Sequence, residues 1–297
     1  MKSSSSSVWG NPQLQIHFCV VMWGFTAILG KLITLAALPL VFWRVFIVSL
    51  CLLFWVPLWR QLWRLSRRDW MDSLLAGILI TLHWLCFYGS IKLANASVAA
   101  TCIALAPVFL SILEPLFSRQ PFVARELLVA VISIPGVMLV LGGIPPAMLG
   151  GFALGTLSAL FVAIFSILNK RLAMRVAPLS LTAIEMGAGA LLLGLLIPLW
   201  PMLGSRFDWP GQADMIWLLV LALACTLLPF VVAIMALRKL SAFSAQLAVN
   251  LEPVYAILLA WVFLGEGEQL RLPFYAGVAV ILAAVLLHVR FHAVKPV

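Results

Sequence analysis

Ten apolar runs, each long enough for a membrane helix, follow one another with only short polar or Pro/Gly-rich breaks between them. Spanning the hydrocarbon core takes roughly 20 apolar residues per helix, and a helix satisfies its own backbone polar groups where no water can. The runs fall near 16–36, 39–59, 72–91, 96–117, 124–143, 147–169, 179–200, 214–237, 243–264 and 272–291. They predict an all-α integral membrane protein with ten transmembrane helices. Composition agrees: 64% of the 297 residues are hydrophobic and 10% are charged, with a mean hydropathy of +1.15, beyond what a soluble domain carries. The longest breaks, 60–71 and 201–213, are too short to fold alone, so any site must lie within the membrane part or at its mouths.

The net charge of +9 does not mark a nucleic-acid binder, because the basic residues are dispersed between apolar runs and form no basic face. Topology accounts for them. With both termini inside, fourteen of the 19 Lys and Arg residues lie in cytoplasmic segments, Lys31, Lys92, Arg206 and Arg271 lie outside, and Arg44 sits within the second span. That excess is the one expected of cytoplasmic loops, and it places the chain in a bacterial inner (plasma) membrane with both ends cytoplasmic. The first apolar run is longer than the core of a secretory signal and reads as a retained span; the competing reading is cleavage near Ala36 and Ala37. Cys19, Cys51, Cys86, Cys102 and Cys225 all fall inside apolar runs without CxxC spacing. They read as buried, reduced and structural, and neither a metal nor a cofactor is expected.

Two halves align along the chain. Ile28, Leu29, Lys31, Pro39 and Leu40 recur in the same spacing as Ile167, Leu168, Lys170, Pro178 and Leu179, and the next runs end in Pro57-Leu58-Trp59 and Pro198-Leu199-Trp200. Lys92, Leu93 and Ser97 return as Lys239, Leu240 and Ser244, and Pro107-Val108 as Pro253-Val254 after a one-residue slip. The halves divide at 1–145 and 146–297. Five spans is an odd number, so the second half must run through the bilayer in the opposite sense, as two inverted five-helix repeats. Such repeats are a recurring design of secondary transporters, with the site near the midplane between them.

The opening span with Trp23, Gly24, Phe25 and Lys31, the second-span Arg44, the segment Lys92 to Pro107, and above all Leu240-Ser-Ala-Phe-Ser244, Leu251-Glu-Pro-Val254 and Leu264-Gly-Glu266 carry a family likeness. In these the chain resembles the drug/metabolite transporter superfamily, and within it the EamA-type ten-helix exporters. The first half departs from the pattern, with Ala106 where the second has Glu252 and Arg119 where it has Gly265. The resemblance implies a central cavity lined by spans 1, 3, 4, 6, 8 and 9, with spans 5 and 10 peripheral.

Ionisable groups at membrane depth are costly, roughly 2.5 to 3.5 kcal/mol at the centre of a span on insertion scales, and are functional candidates by default. Glu252 and His83 fall near the middle of their runs. Glu252 precedes Pro253, and Pro107 holds the matching place in the other half; each proline frees a carbonyl one turn earlier and is expected to break its helix. The candidates for substrate binding or coupling are Glu252, His83, Asn250, Tyr88, Trp84, Arg44 and Glu185. The competing readings are a glutamate bonded to a neighbour such as Asn250, a packing histidine, and snorkelling near the membrane faces for Arg44. By depth Arg44 lies toward the outer face and Glu185 toward the inner one, too far apart for an ion pair, each guarding its own vestibule. Trp55, Trp59, Trp63, Trp70, Trp200, Trp209 and Trp217 sit at span ends, where aromatic belts form.

No HExxH, GxSxG or phosphate-binding glycine loop is present. The expected function is that of a secondary transporter, not an enzyme: it exports a small metabolite, such as an amino acid, a related solute or a drug, with proton coupling through Glu252 or His83. A sugar-nucleotide or lipid carrier, a channel and a non-transporting membrane protein are the alternatives, and an intramembrane hydrolase using Ser90 or Ser97 with His83 is the enzymatic one. The expected partners are a small-molecule substrate and the lipid bilayer, with no nucleic acid, in a monomer or homodimer.

Overall fold

Local signals set the helix ends. In the computed structural model, which describes residues 11–118, 124–249, 251–265, 271–280 and 283, helix α1 (Pro12–Leu32) opens on Asn11, whose side chain accepts the Gln13 N–H at 2.9 Å. After α2 (Ala37–Leu53), the chain bends by 95° into a short helix α3 (Val56–Leu62) with Pro57 in its first turn. The second run was expected to continue straight to 59. It stops sooner because the Pro57 ring cannot continue the α2 hydrogen-bond ladder, while it suits the start of a new helix. Ser66 caps α4 (Arg67–Leu93), its Oγ accepting the Asp69 N–H and donating to the Asp69 carboxylate.

The fourth run divides into α5 (Ala96–Ile103) and α6 (Ala106–Ser118), broken at Ala104 and Leu105 just before Pro107. Then come α7 (Ala124–Gly143), α8 (Leu149–Ala173) and α9 (Pro178–Leu195). The Pro198-Leu199-Trp200 segment is not the end of α9 but a separate 3₁₀ turn, Ile197–Leu203. Trp200 is fully buried against Phe42 and Phe207, so it packs inside the protein instead of joining an interfacial belt.

The eighth run is continuous but not uniform. Helix α10 (Gln212–Leu219) passes through a π-helical stretch, Val220–Leu227, into α11 (Leu228–Leu237). Pro229 lacks an N–H for the Cys225 carbonyl, and Thr226 Oγ1 donates to Leu221 O at 2.7 Å, so the ladder is wider there. The ninth run divides like the fourth, into α12 (Ala242–Val249) and α13 (Glu252–Leu264), the latter ended by Gly265 at φ +64°. Residues 272–280 form a further helix, α14.

Among the described residues six helices are long and apolar enough to cross a membrane, and the bent pair α2 and α3 makes a seventh. The fifth, ninth and tenth expected spans fall on α7, on the broken α12 and α13, and on α14, where they are helical as far as described. No strand occurs among the described residues. Helix α4 packs along α8 and α9, α2 along α9, and α1 along α11 and α13, leaving a central space among α1, α4, α8 and α11. Three of the five cysteines are buried as expected, but Cys51 is exposed and Cys86 half-buried, on faces turned outward from the helix contacts.

Candidate functional site

The central space is a cavity of about 100 Å³. Its wall takes Trp23 and Thr26 from α1, Arg44 from α2, His83, Trp84 and Phe87 from α4, Ile103 from α5, Phe165, Ser166 and Asn169 from α8, Phe230 from α11, Val249 from α12 and Glu252 from α13. In span terms these are 1, 3, 4, 6, 8 and 9, with Arg44 of span 2 added. No described side chain of α7 or α14 lies in the wall.

The Arg44 side chain turns into the cavity and is 1% exposed. Its Nε donates to Thr226 Oγ1 at 2.7 Å, Nη1 to Tyr88 Oη at 2.8 Å, and Nη2, more weakly, to Cys225 O at 3.5 Å. The last acceptor lies near the end of the π-helical stretch, one turn before Pro229. The guanidinium lies over the Trp84 indole, 3.9 Å from the ring centroid, a cation–π contact that strengthens when water is excluded. Tyr88 is fully buried behind Arg44 and is not in the cavity wall; it holds the arginine in place.

His83 is fixed by α8. Its Nδ1 lies 2.8 Å from Ser158 Oγ and 3.0 Å from Ser158 O, while the serine hydroxyl donates to His83 O at 2.9 Å. A carbonyl only accepts, so Nδ1 carries the hydrogen, and Nε2 has no hydrogen bond among the described residues. The ring stacks on Phe87. The serine that His83 meets is therefore Ser158, not Ser90 or Ser97.

Glu252 is the first residue of α13, at the break from α12, and is 6% exposed. Pro107 and Pro253 each occupy the first turn after a break, in α6 and α13 respectively. Asn250 lies outside the described residues. Glu252 and Arg44 share the cavity wall, yet no ion pair joins them among the described residues.

Glu185 stands apart. It is fully buried on α9, is absent from the cavity wall, and neither carboxylate oxygen has a hydrogen-bond partner. It forms no ion pair with Arg44, in keeping with the expected separation of the two, but it is enclosed between helices and opens on no vestibule.

Four groups at the site escaped the sequence reading. Thr226 and Ser158 hold Arg44 and His83, Thr26 lines the wall with its Oγ1 donating to Trp23 O at 2.6 Å, and Asn169 presents a buried Oδ1 without a partner. A polar residue inside an apolar run is the signal that could have found Asn169, which was instead absorbed into the end of the sixth span.

Comparison with known proteins agrees with this architecture. The EamA-like transporter family matches twice, over residues 13–142 and 149–290. The uncharacterized transporter YxxF of Bacillus subtilis is 26% identical over 210 residues, 69% of this chain and 66% of that protein. An uncharacterized transporter of Archaeoglobus fulgidus is 28% identical over 198 residues, 66% of this chain and 68% of its own length. One solved crystal structure superposes over 94% of this chain and 98% of its own with a TM-score of 0.68 at 17% identity, a likeness of fold alone. The family match covers most of the chain and falls on the same helices that enclose the cavity, so the chain belongs to the EamA-like transporter family and is a multi-pass membrane transporter.

Proposed function

We propose that this protein is a secondary transporter that exports a small metabolite, an amino acid or a related solute or drug, through the cavity between two inverted five-helix halves. The halves are residues 1–145 and 146–297, ten spans in all, in a bacterial inner membrane with both termini cytoplasmic. One observation carries the reading: Arg44 and Glu252 stand in one buried wall with no ion pair between them among the described residues. A solute bearing an anionic and a cationic group offers each of them a counter-charge, whereas a purely apolar one offers neither.

The wall is otherwise aromatic, with Trp23, Trp84, Phe87, Phe165 and Phe230 around the charges, as ligand sites generally combine apolar lining with a few placed polar groups. Alternating access moves this wall from one membrane face to the other, and the proton gradient supplies the driving force. Helix breaks beside Pro107 and Pro253 supply backbone groups freed from their ladders at the depth where transporters of inverted design bind solutes.

The test is counterflow in proteoliposomes loaded with each of the common L-amino acids, with and without an imposed pH gradient. The expected result is saturable exchange of at least one of them, with Arg44→Lys and Glu252→Gln each lowering it by roughly tenfold or more, since losing an interaction of about 1.4 kcal/mol with the solute already gives tenfold. Conductance without counterflow would mean a channel. No exchange of any of these solutes, or full exchange in both variants, would overturn the assignment.

A further inference from the structure

Helices α4 and α9 meet almost backbone to backbone. A Cβ added at Gly77 would lie 2.5 Å from Glu185 O and 2.7 Å from its Cα, and one added at Gly189 would lie 2.3 Å from Thr81 Oγ1. Residues 77 and 81 of α4 thus face 185 and 189 of α9 in the same order, so the two helices run parallel. One turn earlier the same register sets Ser73 opposite Leu181 and Thr182. Ser73, Thr182 and Glu185 are each 0% exposed, and Ser73 Oγ, Thr182 Oγ1 and both Glu185 oxygens lack hydrogen-bond partners. Four unpartnered polar atoms in one helix contact are unusual, because buried polar groups in native proteins are nearly always bonded.

Among the described residues Glu185 has no ion pair, and the charged side chains of the helices packed on α9 are engaged elsewhere or exposed. From α2, Arg44 is engaged by Thr226, Tyr88 and Cys225, and Cys51 is exposed. From α4, Asp69 and Asp72 are held by Arg175, His83 by Ser158, Tyr88 by Arg44 and Lys92 by Ile33 O; Arg67 and Arg68 are exposed, and Cys86 is half-buried. From α3, Arg60 is exposed. From α8, Lys170 reaches Leu237 O and Leu240 O, and Arg171 reaches Phe117 O. Neither α11 nor the 3₁₀ turn Ile197–Leu203 brings an ionisable side chain.

We propose that Glu185, with the hydroxyls of Ser73 and Thr182, forms a proton-carrying site in the α4–α9 contact, separate from the central cavity, and that this proton couples the gradient to transport. The coupling half of the proposal rests on the transport reading above. An isolated carboxylate in such a place is untenable. With a proton it is neutral, with one O–H donor and remaining acceptor capacity, and the two buried hydroxyls, not bonded to it in this structure, are groups that can both donate and accept. Releasing the proton to water leaves the carboxylate needing solvation, which the tight Gly77 and Gly189 crossing denies until α9 separates from α4. Helix α4 also carries His83 and Trp84 in the cavity wall, so proton loss and reshaping of the cavity depend on one helix contact.

Infrared spectroscopy of the full chain in lipid vesicles at neutral pH tests the site with the proton itself as the probe. The wild type should show a protonated-carboxyl C=O band that Glu185→Gln removes and that Ser73→Ala and Thr182→Ala shift. An identical band in wild type and Glu185→Gln, or a wild-type band abolished by added Na⁺, would overturn the proton site, the second outcome in favour of a metal cation. In the proteoliposomes described above, Glu185→Gln should lose the stimulation by a pH gradient while counterflow stays measurable; stimulation equal to wild type would overturn the coupling role. If the wild type exchanges no amino acid, the transport reading fails and the coupling role with it, while the infrared result still decides the proton site.

Discussion

Arg44 and Thr226 meet at 2.7 Å, guanidinium Nε to hydroxyl Oγ1, across the contact between α2 and the π-helical stretch Val220–Leu227. The hydroxyl is turned for this by its own bond to Leu221 O, and Cys225 O of the same stretch takes Nη2 more weakly. The irregular helix thus seats the one arginine that the cavity wall takes from the described residues. Thr226→Val keeps the shape and removes the acceptor. It should destabilise the protein by about 1–3 kcal/mol, the usual cost of leaving a buried donor unsatisfied, which thermal unfolding in detergent would register. Thr226→Ser should restore most of it.

Two glycines of the same bundle should respond in opposite ways. Gly77→Val drives a side chain into the Glu185 backbone, and overpacking of this kind costs roughly 1–3 kcal/mol or more. Gly187 has nothing within 4 Å of an added Cβ, so Gly187→Ala should be neutral or raise stability by up to about 1 kcal/mol through helix propensity. The monodisperse fraction after heating, measured by size-exclusion chromatography, separates the two.

Much of this was legible in the chain. Pro107 and Pro253 announced the two breaks because a proline leaves the same defect in any helix, and the run lengths located most helices to within a few residues. The direction a helix turns was not legible. A span that is apolar all round carries no stripe to show which face looks inward, so it was not legible that Arg44 turns into the cavity while Tyr88 is bonded to it from outside the wall. Glu185 was found as a polar group at depth, but its isolation in the α4–α9 contact follows from Gly77 and Gly189, whose meaning depends on which helices pair. The π-helical stretch could not be seen because Pro229 marks a defect in its run without showing whether the helix breaks there or widens.

The helix ends around Arg175 and Arg238 hold two kinds of basic contact. Arg175 pairs with Asp69 at 3.3 Å and Asp72 at 3.1 Å, with side chains that are partly exposed. Arg175→Gln should therefore cost no more than about 1 kcal/mol, and less in high salt. Arg238 instead donates to the Ala173 and Val176 carbonyls just past the end of α8. Arg238→Ala leaves part-buried carbonyls without partners and should cost about 1–3 kcal/mol, with little dependence on salt. Unfolding midpoints at two ionic strengths distinguish these contacts.

Asp214 joins α10 to the end of α1, accepting the Thr34 N–H at 2.9 Å and its hydroxyl at 2.6 Å. Asp214→Ala removes both acceptors and should lower stability by about 1–3 kcal/mol. Thr34→Ala, which keeps the backbone bond, should lower it by less. A thermal-shift series over both single variants and the double variant measures their coupling.

The central claim is that the cavity around Arg44 and Glu252 is the chamber through which solute passes. Ala233, in its wall on α11, offers the most direct measurement: Ala233→Cys in a background with the five native cysteines replaced, exposed to a membrane-impermeant thiol reagent from either face of sealed vesicles. A chamber that opens alternately should be modified from both faces. Modification from one face alone, or from neither, would contradict it.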